Sequence, residues 1–218
     1  MQKFTYRILL NEDWGLEDLY EFPHALSQCY SFIYCLDGEL EPRNRERINL
    51  ALQEYPWGGG YSYVNIYTVL NHQVPHLDRP KIVSIQKASP GWLDLLLNQN
   101  VAIQLAASVT TLIGAGTAAL AAYKKGQKLL SDIQEQRIKA KVRQLELDAF
   151  QLKAMNTIAT ETAKNLGYRN LKALHQHTGD PEVSLKLLQA HYRRMSVLAD
   201  YSNKGKATFT TPDIATHD

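Results

Sequence analysis

The 218-residue chain predicts an α+β fold: a small antiparallel-sheet head in the order β-α-β-β, followed by a long, mostly helical region. Three observations predict it. Six of the eight prolines lie in the first 90 residues and none lies between residues 91 and 180, as long helices require, because proline lacks the amide hydrogen and clashes with the preceding turn. Eight of the twelve tyrosines also precede residue 91. Charge divides at the same point: residues 1–90 carry 8 Lys and Arg against 11 Asp and Glu, and residues 91–218 carry 16 against 11, so the formal +2 conceals halves of −3 and +5. Only the second half suits an anionic partner.

Within the head, residues 1–90, the run FTYRILL at 4–10 is β-branched and aromatic enough for a strand, which Asn11-Glu12-Asp13 stops. Residues 16–36 read as a helix. Leu19, Phe22, Leu26, Cys29, Ile33 and Leu36 recur at spacings of three and four and gather on one face, and Pro23 calls for a helix start near itself. Residues 39–54 are charged and predict a short helix around Ile48, Leu50 and Leu52; PWGGG at 56–60 is a loop. YSYVNIYTVL at 61–70 reads as the strongest strand and KIVSIQ at 81–86 as the next. Cys29 and Cys35 lie six apart, on opposite sides of a helix, and are expected as reduced packing residues. With an acidic patch and no signal-like apolar run in the first 14 residues, the expected compartment is the cytoplasm, with inner-membrane association through the later apolar stretch.

A strand, a helix of the kind LSQCYSFIYCL, a strand ending in IVSIQKASPG and an apolar stretch leading into a charged helix together resemble a set of uncharacterised bacterial proteins. The resemblance covers about residues 4–150. It implies that architecture and no activity.

The helical region, 91–201, opens on residues 101–123, which run 23 residues without a charge. A helix of that length rises about 34 Å at 1.5 Å per residue, against a hydrocarbon core of about 30 Å. Leu112, Gly114, Gly116, Ala118 and Leu120 are its expected membrane-apolar residues, with Gly114, Ala118 and Ala122 giving small residues at four-residue spacing. Lys124, Lys125 and Lys128 begin a flank of seven Lys and Arg against Asp132 and Glu135 over residues 124–143, suited to an anionic lipid surface. Gln104, Ser108 and the threonines suit a buried helix of a soluble bundle equally well. A basic flank that stays cytoplasmic would put the head outside, so insertion after folding is the reading that reconciles flank and head.

Residues 126–166 read as one heptad-patterned helix, with Ile138, Leu145, Leu152, Ala159 and Leu166 at d and Val142, Ala149, Asn156 and Ala163 at a. Ile138, Val142, Leu145, Ala149, Leu152 and Asn156 are the expected oligomerisation residues, with Lys141 facing Glu146 and Asp148 facing Lys153 between chains. Leu147, Phe150, Ala154 and Ile158 form a second stripe, which suits a helix buried on two sides, in a bundle from one chain or several. Asp180 caps a final helix with Pro181 at its first position, running to about 201, and residues 202–218 read as a disordered tail.

Chemical motifs are few. Gly114-Ala115-Gly116-Thr117-Ala118-Ala119 matches G-x-G-x-x-A, but an unbroken helical pattern follows it rather than a second strand and an acid. His175, His177, Asp180 and His191 read as solvated polar residues around a turn rather than metal ligands. Ala163 and Gly167 with residues 168–177, carrying Arg169 and Lys172, match a helix-turn-helix in part. The expected protein is therefore a non-enzymatic homo-oligomer without cofactor or metal. It acts as a membrane-engaging effector or scaffold whose partners are an anionic lipid membrane and a protein at the head; the alternative is a soluble regulatory adaptor that binds DNA near residues 160–177, nucleic acid being the less favoured partner.

Overall fold

The computed structural model describes residues 3–36, 40–54, 66–88, 90–142, 146–168 and 171–210. In chain order the elements are β1 (Lys3–Leu10), α1 (Leu16–Leu36), α2 (Pro42–Glu54), α3 (Ile66–Gln73), a 3-10 turn (His76–Asp78), β2 (Lys81–Gln86), β3 (Gly91–Asn98), α4 (Gln99–Ala140), α5 (Ala149–Asn165), α6 (Leu171–Thr178), α7 (Pro181–Asn203) and β4 (Ala207–Phe209). The fold is α+β: a four-stranded antiparallel sheet in the order β2-β3-β1-β4, packed with helices.

Alternation builds the sheet. Tyr6, Ile8 and Leu10 of β1 and Leu93, Leu95 and Leu97 of β3 are buried on the inner face, where the register sets Tyr6 opposite Leu95 and Ile8 opposite Leu93. On the other face the Arg7 guanidinium donates to both oxygens of Asp94 at 2.7 and 2.8 Å, and Ser84 Oγ adds a hydrogen bond to Asp94 at 2.9 Å. β2 is an edge strand with Ile82, Val83 and Ile85 exposed.

α1 lies at the centre of the molecule. From Cys29 to Cys35 every residue is buried, so the apolar stripe read from the sequence widens to the whole circumference, while Leu19 at its start is exposed. Phe22 meets Trp14, Tyr201 and Phe209; Phe32 stacks on His191 of α7 with ring centroids 3.9 Å apart. Tyr30 and Tyr34 donate to the carbonyl and carboxylate of Asp78. Pro23 sits inside the helix rather than near its start. Both cysteines are free and buried, and burial pushes the Cys35 thiol up to about 12.

Four stretches differ from the sequence reading. Ile66–Gln73, which begins inside the expected strand 61–70, is the helix α3: Ile66, Tyr67 and Leu70 fall on one helical face and are buried there with Val74 just beyond the helix, and packing overrides β-propensity. Residues 61–65 of that expected strand lie outside the described residues. GWLDLLLN, expected in the helical region, is the strand β3; a short apolar run buried on one face and partly on the other carries no period of its own. The single helix expected over 126–166 is two. α4 ends where Lys141 takes a left-handed φ of 57°, and α5 starts at a capping box in which the Asp148 side chain accepts from the Gln151 amide and the Gln151 side chain from that of Asp148. Lastly, of the expected tail, Ser202 and Asn203 finish α7 and Ala207–Phe209 forms β4 against β1, whereas residues 211–218 lie outside the described residues.

α4, α5 and α7 pack side by side. Gln151 at the start of α5 hydrogen-bonds Gln136 of α4 at 2.9 Å, and Gln104 near the start of α4 reaches the Gly167 carbonyl beyond the end of α5, so the pair is an antiparallel hairpin. Head and helical region share one continuous core through α1, α4 and α7.

Candidate functional site on helix α4

α4 begins at Asn98, whose side chain accepts from the Val101 amide. Its first half carries the uncharged run. By length and composition α4 is apolar enough to cross a membrane: its best 18-residue window has a mean hydropathy of 1.6, and 39% of that window is buried. Val101, Leu105, Val109 and Leu112 face the core. Outward stand Ile103, Ala107, Ile113, Gly114, Ala118 and Leu120, the last 42% exposed. Of the five residues expected to meet a membrane, Leu112 therefore points inward, and Gly114, Gly116, Ala118 and Leu120 are exposed.

Gly116 breaks the regularity. Its φ of 46° and ψ of −118° are non-helical and lie where a side chain is strained, and no atom outside the local helix comes within 4 Å of where its Cβ would be. The kink divides the uncharged run, leaving 15 residues before it, about 22 Å of helix.

Lys124, Lys125 and Lys128 continue the exposed face. Lys125 lies 3.4 Å from Glu161 of α5; among the described residues neither Lys124 nor Lys128 has a carboxylate within ion-pair distance. Farther along, α4 crosses α7 closely, with Tyr123 stacked on Tyr192 at 4.5 Å. Gly126 accommodates the Gln189 side chain of α7, whose amide a Cβ there would meet. One turn from the end of α4, Arg137 donates to both oxygens of Glu182 at 2.8 and 2.7 Å, and Lys186 meets Glu182 Oε1 at 2.7 Å, all three buried. Burial raises the Glu182 pKa, but the hydrogen bonds from Arg137 and Lys186 outweigh it and hold the carboxyl below its usual range. Between α4 and α7 a cavity of about 460 Å³ opens beside this triad.

The expected oligomerisation residues do not form one seam. Ile138 and Val142 sit at the end of α4, 67% and 43% exposed; Ala149 and Asn156 are exposed on α5, and Leu152 is half-buried. Leu145 lies outside the described residues. Met155, Ala159, Ala163 and Leu166 are buried within the chain's own bundle. Phe150, 80% exposed, stands at the same end of the hairpin as Ile138.

The remaining motifs are dispersed. Gly114–Ala119 has helix on both sides and no βα turn. His175 Nδ1 lies 2.7 Å from Ser184 Oγ, His177 Nδ1 lies 2.6 Å from Asn49 Oδ1, Asp180 caps α7 and His191 stacks on Phe32. Among the described residues no three His, Cys, Asp or Glu converge. Arg169 lies outside the described residues; α6, the expected recognition helix, buries Leu174, His177 and Thr178.

Sequence reasoning missed the Arg137–Glu182–Lys186 triad, whose members lie up to 49 positions apart. The one local signal was Glu182 four residues before Lys186 on a helix. Compared with protein families, curated proteins and solved structures, the chain gives no match.

Proposed function

We propose that the protein is a non-enzymatic, self-associating effector or scaffold that is cytoplasmic until α4 engages a membrane, with a partner received at the sheet head. The carrying observation is the 23-residue uncharged run, which turns Ile103, Ile113, Ala118 and Leu120 outward and continues into Lys124, Lys125 and Lys128. Lysines at that place meet anionic headgroups at about 1 kcal/mol each, while the small residues before them suit close helix packing within the bilayer. The exposed Ile138, Val142 and Phe150 at the hairpin tip support self-association, and the edge strand β2, with Ile82, Val83 and Ile85 exposed, supports a partner that adds a strand to the head.

Flotation with phosphatidylglycerol-containing vesicles tests the membrane step. Wild-type protein is expected in the floating fraction and Leu120→Asp in the bottom fraction, with unchanged circular dichroism because Leu120 is outside the core. Wild-type protein that stays at the bottom, or Leu120→Asp that floats equally well, overturns the proposal. Light scattering tests self-association: a mass above the 24.7 kDa of one chain, reduced by Phe150→Ser with Ile138→Ser, is the expected result.

A second reading has one observation in its favour. Val101, Leu105, Val109 and Leu112 are core residues, which supports a soluble adaptor in which α4 never leaves the bundle; that protein would remain monodisperse and vesicle-free.

A further inference from the structure

Resting on the partner-receiving head proposed above, we infer that the open edge of β2, with the hollow between it and the start of α1, binds an extended segment of another protein. That segment places an aliphatic side chain in the hollow and acidic residues beside Lys81 and Lys87. A bulge in β2 prepares the edge. Its register against β3 slips between Ile82 and Ser84, so that Ile82 stands opposite Leu95 and Ile85 opposite Leu93. The two isoleucines, three positions apart, therefore face one side of the sheet, the side on which Leu93 and Leu95 are buried. Ile82 and Ile85 are nonetheless 61% and 54% exposed, so the cover that buries this face of β3 stops short of β2. A strand added at this edge gains main-chain hydrogen bonds from β2 and an apolar row from the two isoleucines.

Beside Ile85 the start of α1 completes a hollow of about 90 Å³, lined by Leu10, Trp14, Leu19, Ile85 and the turn into β3, with room for one aliphatic side chain. Leu16, three residues before Leu19 on the same flank of α1, is exposed and extends the apolar wall. Asp18 and Glu21 lie on the other flank, where Tyr201 donates to both and Lys206 to Asp18. The acidic first turns of α1 thus turn away from the hollow.

Charge selects the partner. Lys81 and Lys87 bracket the strand, and among the described residues neither has a carboxylate within ion-pair distance. Glu12 is the one carboxylate among the described lining residues, and its Oε1 lies toward Gly205 before β4, across the sheet from the open edge. Two copies of this chain joined edge to edge about a two-fold axis would run antiparallel and bring the Lys81 end of each against the Lys87 end of the other, setting like charges together at both ends. An acidic-flanked strand from another protein turns both meetings into attractions.

The test is fluorescence polarisation of the labelled heptapeptide Glu-Val-Thr-Val-Thr-Val-Glu with the full chain at low salt, beside its counterpart with Lys at both ends. The acidic peptide is expected to bind about tenfold more tightly, and Lys81→Glu with Lys87→Glu is expected to reverse the preference. Leu19→Asp, which leaves β2 untouched, is expected to weaken the acidic peptide about tenfold through the lost anchor. All three positions are exposed, so unchanged circular dichroism shows that the variants fold. N-methylation of alternate peptide amides isolates strand addition, because an added strand donates to β2 from every second residue: one methylated set should lose binding and the other keep it. Peptides that bind in this way without regard to charge overturn the acidic partner and leave the strand-receiving head standing. No binding of either peptide, or binding unmoved by Leu19→Asp, overturns the inference; binding indifferent to both methylated sets overturns it together with strand addition at the head.

Discussion

The two halves of α4 invert the usual relation between charge and burial. Residues 101–123 carry no charge, yet much of that half faces outward. The half after Lys124 is densely charged, yet it places Arg137 in the core with Glu182 and Lys186. Neighbours explain the difference. Against α7, Gly126 makes room for the Gln189 side chain and the two helices enclose and match an arginine, whereas nothing lies within 4 Å of the place a Gly116 Cβ would take, and the outer side of the helix there stays uncovered. Where a helix lies relative to its partners, more than its own composition, decides which of its side chains leave water.

Breaking the triad should show the largest effect. Glu182→Ala removes the carboxylate that two enclosed cations share and is expected to cost about 3–5 kcal/mol, read as a fall in urea midpoint, while replacing all three by Arg137→Met, Glu182→Leu and Lys186→Met restores most of it. A single variant as stable as wild type would mean that water reaches the triad. Next, Leu105→Ala on the inner side of the uncharged half is expected to cost about 2–5 kcal/mol and Leu120→Ala on its outer side within about 0.5 kcal/mol; equal losses would mean that the outer side is covered in solution.

A buried histidine extends the comparison to pH. Burial pushes His191 down to about 3, with Tyr168 beside its Nε2 at 3.0 Å and the Phe32 ring over it. Above pH 6.5 the imidazole is neutral in folded and unfolded chains alike. Below that, only the unfolded chain takes up the proton, so stability falls by about 1.4 kcal/mol per pH unit until pH approaches 3. Burial also lowers the pKa of His175 and His177, adding to the loss in the same direction. Between pH 6.5 and 5 the His191 contribution is about 2 kcal/mol, and His191→Gln should remove that part of the slope in chemical denaturation; an unchanged slope would place the histidine in contact with water. The smallest effect is at the kink: Gly116→Ala is expected to cost about 1 kcal/mol, a Tm fall of about 2–4 °C, whereas a gain of similar size would show that α4 straightens freely.

Much of the fold was legible in local pattern. β1, β2 and α7 follow from alternation, from β-branched runs and from Asp180-Pro181, and α1 spans the residues that its periodicity marked. What escaped depends on long-range partners. α3 is β-rich in composition but lies on α1; β3 needs β1 beside it to be a strand. The division of α4 from α5 had a readable sign, since Asp148 with Gln151 is a helix start, but the heptad frame assigned Asp148 to a facing chain. At the site, Lys124, Lys125 and Lys128 were visible as charge beside an uncharged run. Glu182 and Gln189 were not, because only the crossing of α4 and α7 brings them beside Arg137 and Gly126.

β4 also fixes when this protein can finish folding. Ile8 pairs with Phe209, so the first strand receives its second neighbour only after about 200 further residues have been made. During synthesis at roughly 5–20 residues per second, β1 therefore waits on the order of ten seconds or more with one edge open. Closure of so long a loop comes late and slowly, and over that interval the exposed edge is a place where a chaperone, or another nascent copy, can bind first.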